Sequence, residues 1–195
     1  MMDRLTSYRL SDFILFSESA YYRQFELYNQ AIWPLHILTV IISLIILYAL
    51  WKRPVWAGRY VSAVLMLGWI WVAYAFLYQR FNQIHVVAHW YALAFVIQSV
   101  LIAWYGLYEN RLAQLTANRL RLTLGYTLLS ISLFVYPFIA VMADRSWRQS
   151  EMFALSPDPT AIATLAVLLV YRAPIVLCMI PLLWLLISIA TQAVM

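Results

Sequence analysis

Long runs without a charged side chain do most to limit what this chain can fold into. Residues 31–51, 60–78, 86–108 and 122–143 contain no Asp, Glu, Lys or Arg at all. A run of about 18 or more apolar residues is long enough to cross ~30 Å of hydrocarbon as a helix. Inside a bilayer each backbone N–H and C=O must find its partner within the protein, and a helix does this segment by segment. Hydrophobic residues make up 65% of the 195 and charged residues only 11%, a balance that excludes an ordinary water-soluble domain.

The sequence therefore predicts an all-α, polytopic transmembrane helix bundle of about six spans. The first four are the runs above. The last two are short helices, 160–171 and 175–191, joined by a turn at Arg172-Ala173-Pro174 whose arginine reaches for the headgroups. A single span with a re-entrant first half is the alternative. Tyr136-Pro137 predicts a kink in the fourth span, because proline removes an N–H. Two regions are expected: residues 1–30, a tail with an interfacial amphipathic helix, and residues 31–195, one transmembrane domain. In the tail Tyr21, Phe25, Tyr28 and Ile32 share a helical face, and Glu18, Tyr22, Glu26 and Asn29 lean to another, as in a helix lying on a membrane.

The start of the chain lacks the basic, apolar and small-residue sequence of a cleaved signal peptide. A lone cysteine, Cys178, excludes an intramolecular disulfide. The net charge of +5 is scattered over loops without a basic run, which speaks for membrane topology and against a nucleic-acid partner. Lys52, Arg53 and Arg59, then Arg111, Arg119 and Arg121, then Arg172 fall in alternate connections. The positive-inside rule places these in the cytoplasm and both termini outside.

Asp158 stands between Pro157 and Pro159 at the head of the fifth apolar run. Proline cannot extend a helix backwards, so the spacing predicts Asp158 as N-cap and Pro159 as the first helical residue. Its carboxylate would then sit at the positive end of a helix dipole and is a candidate ligand-binding group. Gly68, Trp71, Ala75 and Tyr78 lie on one stripe of the second span, so Trp71 and Tyr78 are candidates for the wall of an apolar cavity, with Glu26 near its mouth. Interlocking of helices by small and large residues is the alternative. His85 and His89 are four residues apart on a helix, and His36 starts the neighbouring span, so the three predict a shared transition-metal site for zinc, copper or iron. Hydrogen bonding at the interface is the alternative. Gln98, Ser99, Ser130 and Ser132 are expected to bond between helices. The absence of Asp, Glu and Lys from every predicted span argues against a pump or coupled carrier.

Phe25-Glu26-Leu27-Tyr28-Asn29 with Trp33-Pro34, and Pro157-Asp158-Pro159-Thr160 with Ile180-Pro181-Leu182-Leu183-Trp184, resemble an uncharacterised family of small bacterial multi-pass membrane proteins. The resemblance covers nearly the whole chain. It implies a domain of unknown function in the bacterial inner membrane, some of whose members are labelled permease-like. Three functions are expected, in this order. The first is a non-enzymatic membrane component binding a partner subunit, a second copy of itself or an apolar small molecule at its extracytoplasmic mouth. The second is a small-solute or metal-ion permease, and the third a metal-dependent enzyme using His36, His85 and His89.

Overall fold

The computed structural model describes residues 17–194, so the first sixteen residues of the predicted tail lie outside the described part. The described residues form a helical bundle. Helix α1 is Glu18–Ile32 and α2 is Leu35–Lys52, with an elbow at Trp33-Pro34 between them. Helix α3, Ala57–Trp71, continues as a π-helix over Val72–Tyr78, and α4, Ala88–Ile102, continues likewise over Ala103–Tyr108. Helix α5, Arg119–Ser130, runs on through a π stretch, Ile131–Val135, and a 3-10 turn, Tyr136–Phe138, to Ile139–Met142. Helices α6, Pro157–Val170, and α7, Val176–Val194, complete it.

Five of these rods are long and apolar enough to cross a membrane, and α6, at 14 residues, is not. At ~1.5 Å per residue α6 is roughly 21 Å long. It is instead the centre of the bundle: nearly all of its side chains are buried, and it packs against α3, α5 and α7. Gly125 makes the closest of these contacts, since a Cβ there would stand 2.6 Å from Val170 and 2.9 Å from the Ala166 carbonyl. Around this core the outward faces are apolar: Ile41, Leu44 and Tyr48 of α2, Val96 and Val100 of α4, and Leu182, Leu186 and Ile189 of α7 are all exposed. Exposed apolar belts of this extent belong in an apolar medium.

The face predicted to be buried on α1 is buried, but against protein. Tyr21, Phe25 and Tyr28 pack edge-on and tilted against Phe76 and Phe81 at the end of α3. An amphipathic pattern states which side is covered and leaves open by what.

Two free carbonyls tie helices together. Pro181 stands inside α7 with no N–H for the carbonyl of Leu177, and Gln98 Nε2–H of α4 donates to that carbonyl at 2.9 Å. The carbonyl of Leu155, one residue before the N-cap Ser156, lies outside the helical bonding of α6, and the Tyr28 hydroxyl of α1 donates to it at 2.8 Å. At Pro137 the winding of α5 changes from π to 3-10. Ser99 Oγ–H donates to Met66 and Ser132 Oγ–H to Pro159, both between helices as expected, whereas Ser130 is exposed.

Candidate functional site

The polar chemistry gathers at one end of the bundle, where the α1–α2 elbow meets the connection 143–156. Asn29 of α1 pins that connection, its side-chain amide donating to the carbonyls of Arg148 and Ser150 at 2.8 Å each. The connection then turns inward. Ala154, at φ 63°, packs on Gly68 of α3, where an added Cβ would be only 3.1 Å from the Ala154 Cβ. Glycine at 68 is what allows that close approach.

This inward turn carries Asp158 into the bundle, and its role differs from the predicted cap. Ser156 is the N-cap residue and Pro157 the first helical one, which puts Asp158 inside the first turn. Its carboxylate is 3% exposed and faces sideways into a cage of side-chain donors. Oδ1 accepts from Trp184 Nε1–H at 2.6 Å. Oδ2 accepts from Ser188 at 2.6 Å, Tyr136 OH at 3.1 Å and Gln192 Nε2–H at 3.4 Å. Trp184, Ser188 and Gln192 follow at intervals of four on α7, so one polar stripe of an apolar helix faces one carboxylate. That stripe was the legible signal for the site.

A second buried carboxyl lies nearby. Glu151 is 7% exposed, and its Oε2 has no hydrogen-bond partner among the described residues. Burial, and then the Asp158 carboxylate, push the Glu151 carboxyl well above the usual range, with Arg145 pulling it back. The Arg145 guanidinium stacks 3.8 Å over the Tyr22 ring, and its Nη1 has no hydrogen-bond partner among the described residues. Sequence reasoning missed Glu151, because nothing in a single loop glutamate announces its burial.

Two cavities flank α2. The larger, about 510 Å³, is a groove between α2 and α3 whose wall is almost all carbon. Leu35, Leu38 and Ile42 form one side, and Leu67, Ile70 and Trp71 the other. Trp71 is thus placed in a cavity wall, its Nε1–H donating to the Tyr28 hydroxyl at 2.8 Å. Tyr78 is not in that wall. Tyr74 is, and Tyr78 stacks outside it with ring centroids 6.4 Å apart. The π-helical stretch from Val72 advances fewer degrees per residue than an α-helix, which takes Tyr78 off the stripe that 3.6-residue spacing predicts. The second cavity, about 460 Å³, lies at the elbow, between Trp33, His36, Ile37 and Val40 on one side and Trp147, Arg148, Ser150 and Met152 on the other.

Glu26 is half-buried on α1, paired with Arg23 at 2.9 Å, and lines neither cavity. The three histidines are not brought together. Among the described residues no group of three His, Cys, Asp or Glu side chains is arranged to hold a metal ion. His36 Nε2 meets Asn29 Oδ1 at 3.2 Å. His85 packs edge-on to Phe81 and Tyr91, and burial holds its imidazole below the ordinary range. His89 is exposed beside Trp90. Four-residue spacing aligns two side chains only on a continuous helix, and α4 begins at Ala88, after His85.

A family model described as DUF6064, a family of unknown function, matches residues 18–195. No curated protein and no solved structure matches the chain.

Proposed function

The chain belongs to DUF6064, and from that premise we propose a non-enzymatic, multi-pass protein of the bacterial inner membrane that holds an apolar small molecule or acyl chain in the α2–α3 groove. The observation that carries this is the groove itself, about 510 Å³ of carbon-walled space beside an exposed apolar helix face. A volume of ~300–1,000 Å³ with few polar groups is the ordinary form of a small-molecule site. Both termini stand outside in this reading, by the arginine distribution and with the short α6 counted as the fifth of six passes, so the elbow end of the groove faces away from the cytoplasm.

The test uses protein in nanodiscs of neutral lipid and a brominated acyl chain as quencher of tryptophan. Saturable quenching, much reduced in Trp71→Phe, is expected. Filling the groove with Leu38→Phe and Leu67→Phe should weaken binding by roughly tenfold, about 1.4 kcal/mol. Non-saturable quenching, indifferent to both changes, would remove the groove as a site.

The buried carboxyls favour one second reading, a permease. Ionisable groups sunk among membrane helices mark solute or proton paths in transporters, and Asp158 and Glu151 are such groups. Uptake into vesicles that is abolished by Asp158→Asn in a folded protein would support it, and no solute uptake above empty vesicles would dismiss it. A metal-dependent enzyme has no comparable support, since the histidines stand apart.

A further inference from the structure

The connection 143–156 carries an acid and a base that do not meet. Neither Glu151 nor Arg145 enters an ion pair among the described residues. Glu151 is sunk in the bundle, while the Arg145 guanidinium lies on the Tyr22 ring. A buried carboxylate with no cation on it is far more costly than a buried carboxylic acid. The arrangement therefore suits a Glu151 that keeps its proton.

The groups around Glu151 agree. Tyr21 and Tyr22 face it from α1, with Glu18 beyond Tyr22, Tyr136 faces it from α5 and Asp158 from α6. Arg145, on its own connection, is the one cation among these. Burial and then Asp158 raise the Glu151 carboxyl above its ordinary value, and Arg145 opposes them.

Little holds this part of the connection down. Residues 144 and 146–148 are exposed, and 150 and 151 are the ones tucked under. Its side-chain ties are Arg145 on Tyr22, the Asn29 amide on the carbonyls of Arg148 and Ser150, and Trp147 against Phe138 with ring centroids 5.4 Å apart. Two residues at positive φ, Asp144 at 55° and Ala154 at 63°, bracket it, a backbone conformation uncommon for side chains larger than glycine. From Phe153 onward the chain is anchored in the core.

We propose that residues 144–151 are a proton-controlled lid, which lies on α1 while Glu151 is protonated and lifts when that proton leaves, freeing Arg145 from Tyr22 to pair with the carboxylate. Trp147, Arg148 and Ser150 form part of one wall of the elbow cavity, so lifting the lid opens that cavity. The lid uses neither the α2–α3 groove nor a carried solute, and stands apart from both readings of function. The folded value being the raised one, the closed lid is fully favoured below the ordinary carboxyl value, about 4.3, and loses ground as pH rises toward the raised value. One proton sets the limit at about tenfold in the closed-to-open ratio per pH unit.

The test is hydrogen–deuterium exchange of the full chain in nanodiscs between pH 5 and 9, each rate divided by the intrinsic rate at that pH. The 144–152 peptide reports the lid, because its single 3-10 turn has no stability of its own once detached, and α6 reports the bundle. Protection of the lid is expected to fall with pH, by up to about tenfold per unit, while α6 is unchanged. Glu151→Gln should keep the lid equally protected throughout. Arg145→Gln should move the fall to higher pH, since the cation that favours the carboxylate is gone and Asn29 still ties the lid. Lid protection independent of pH in the wild type, or falling as steeply in Glu151→Gln, overturns the proposal. So does a loss shared by α6, which is unfolding of the bundle.

Discussion

Replacing Asp158 distinguishes a buried acceptor from a helix cap, because the two predict different orders of damage. A cap is served by Asn about as well as by Asp, and its loss to Ala costs about 0.5–2 kcal/mol. In the structure Asp158→Ala deprives Trp184 Nε1–H and Ser188 Oγ–H of their acceptor, and those residues are 6% and 5% exposed. At about 1–3 kcal/mol for each buried unsatisfied donor, the pair costs roughly 4 kcal/mol. Tyr136 and Gln192 are only part-buried and add less. Asp158→Asn keeps one carbonyl oxygen for Trp184 and sets an NH₂ among the others. Ser188 and Tyr136 hydroxyls can turn to accept from it, so roughly 1–2 kcal/mol is expected. Thermal unfolding in detergent reads the difference: for a chain of this size roughly 4 kcal/mol lowers Tm by about 8–16 °C. A silent Asn with a mildly damaging Ala would restore the cap and refute the cage.

Glu151→Gln should stabilise the protein at neutral pH and change little in acid. The folded chain holds the Glu151 proton more tightly than the unfolded one, so stability is lost as pH rises from the ordinary carboxyl value, about 4.3, toward the raised folded value. A Tm gain from Glu151→Gln that is no larger at pH 8 than at pH 4 would contradict this. Gln98→Leu leaves the Leu177 carbonyl without a donor in an apolar core and should cost about 1–3 kcal/mol, measured by the same unfolding. Gly125→Leu should abolish folded protein, judged by size-exclusion elution, because its Cβ alone meets Val170 and the Ala166 carbonyl; a monodisperse, wild-type-like variant would mean that α5 and α6 are less tightly packed than described.

Much of the architecture was legible because a missing charge over twenty residues is a statement about surroundings that needs no neighbour to interpret. The long helices lie where the uncharged runs are, with starts moved by a few residues, as from 60 to Ala57. What could not be read depends on other helices. The π stretches have no composition of their own, and the one in α3 takes Tyr78 off the groove face, while Tyr74 keeps the face of Leu67 and Ile70. The Pro-Asp-Pro signal placed a helix start correctly to within two residues, yet either proline can open the helix, and the choice of Pro157 turns Asp158 from a cap into a core group. The cage residues were visible only as Trp184, Ser188 and Gln192 at four-residue intervals, a stripe whose partner no local rule supplies. The histidines show the converse: spacing suggested a partner, and the break in helix at His85 removed it.

Two carbonyls left outside the helical bonding explain how so apolar a chain reaches one arrangement. Between helices in an apolar medium the hydrophobic effect gives little guidance, since a lipid tail is as good a neighbour as a leucine, and fit and hydrogen bonds must choose. A regular helix offers no free backbone group along its length for a neighbour to bond. Pro181 opens the carbonyl of Leu177 inside α7, the start of α6 leaves that of Leu155 outside the helix, and each is met by a single side chain, Gln98 from α4 and Tyr28 from α1. The wrong register would leave carbonyl and donor both unpaired in the core, at a cost of several kcal/mol. Tyr28 then receives Trp71 Nε1–H, so the bond that seats α1 on the buried connection also fixes the rim of the α2–α3 groove. The rim of the groove is thus tied, through Tyr28 and the Leu155 carbonyl, to the same inward turn that carries Asp158 into its cage, by bonds that the sequence shows only as a tyrosine and a tryptophan.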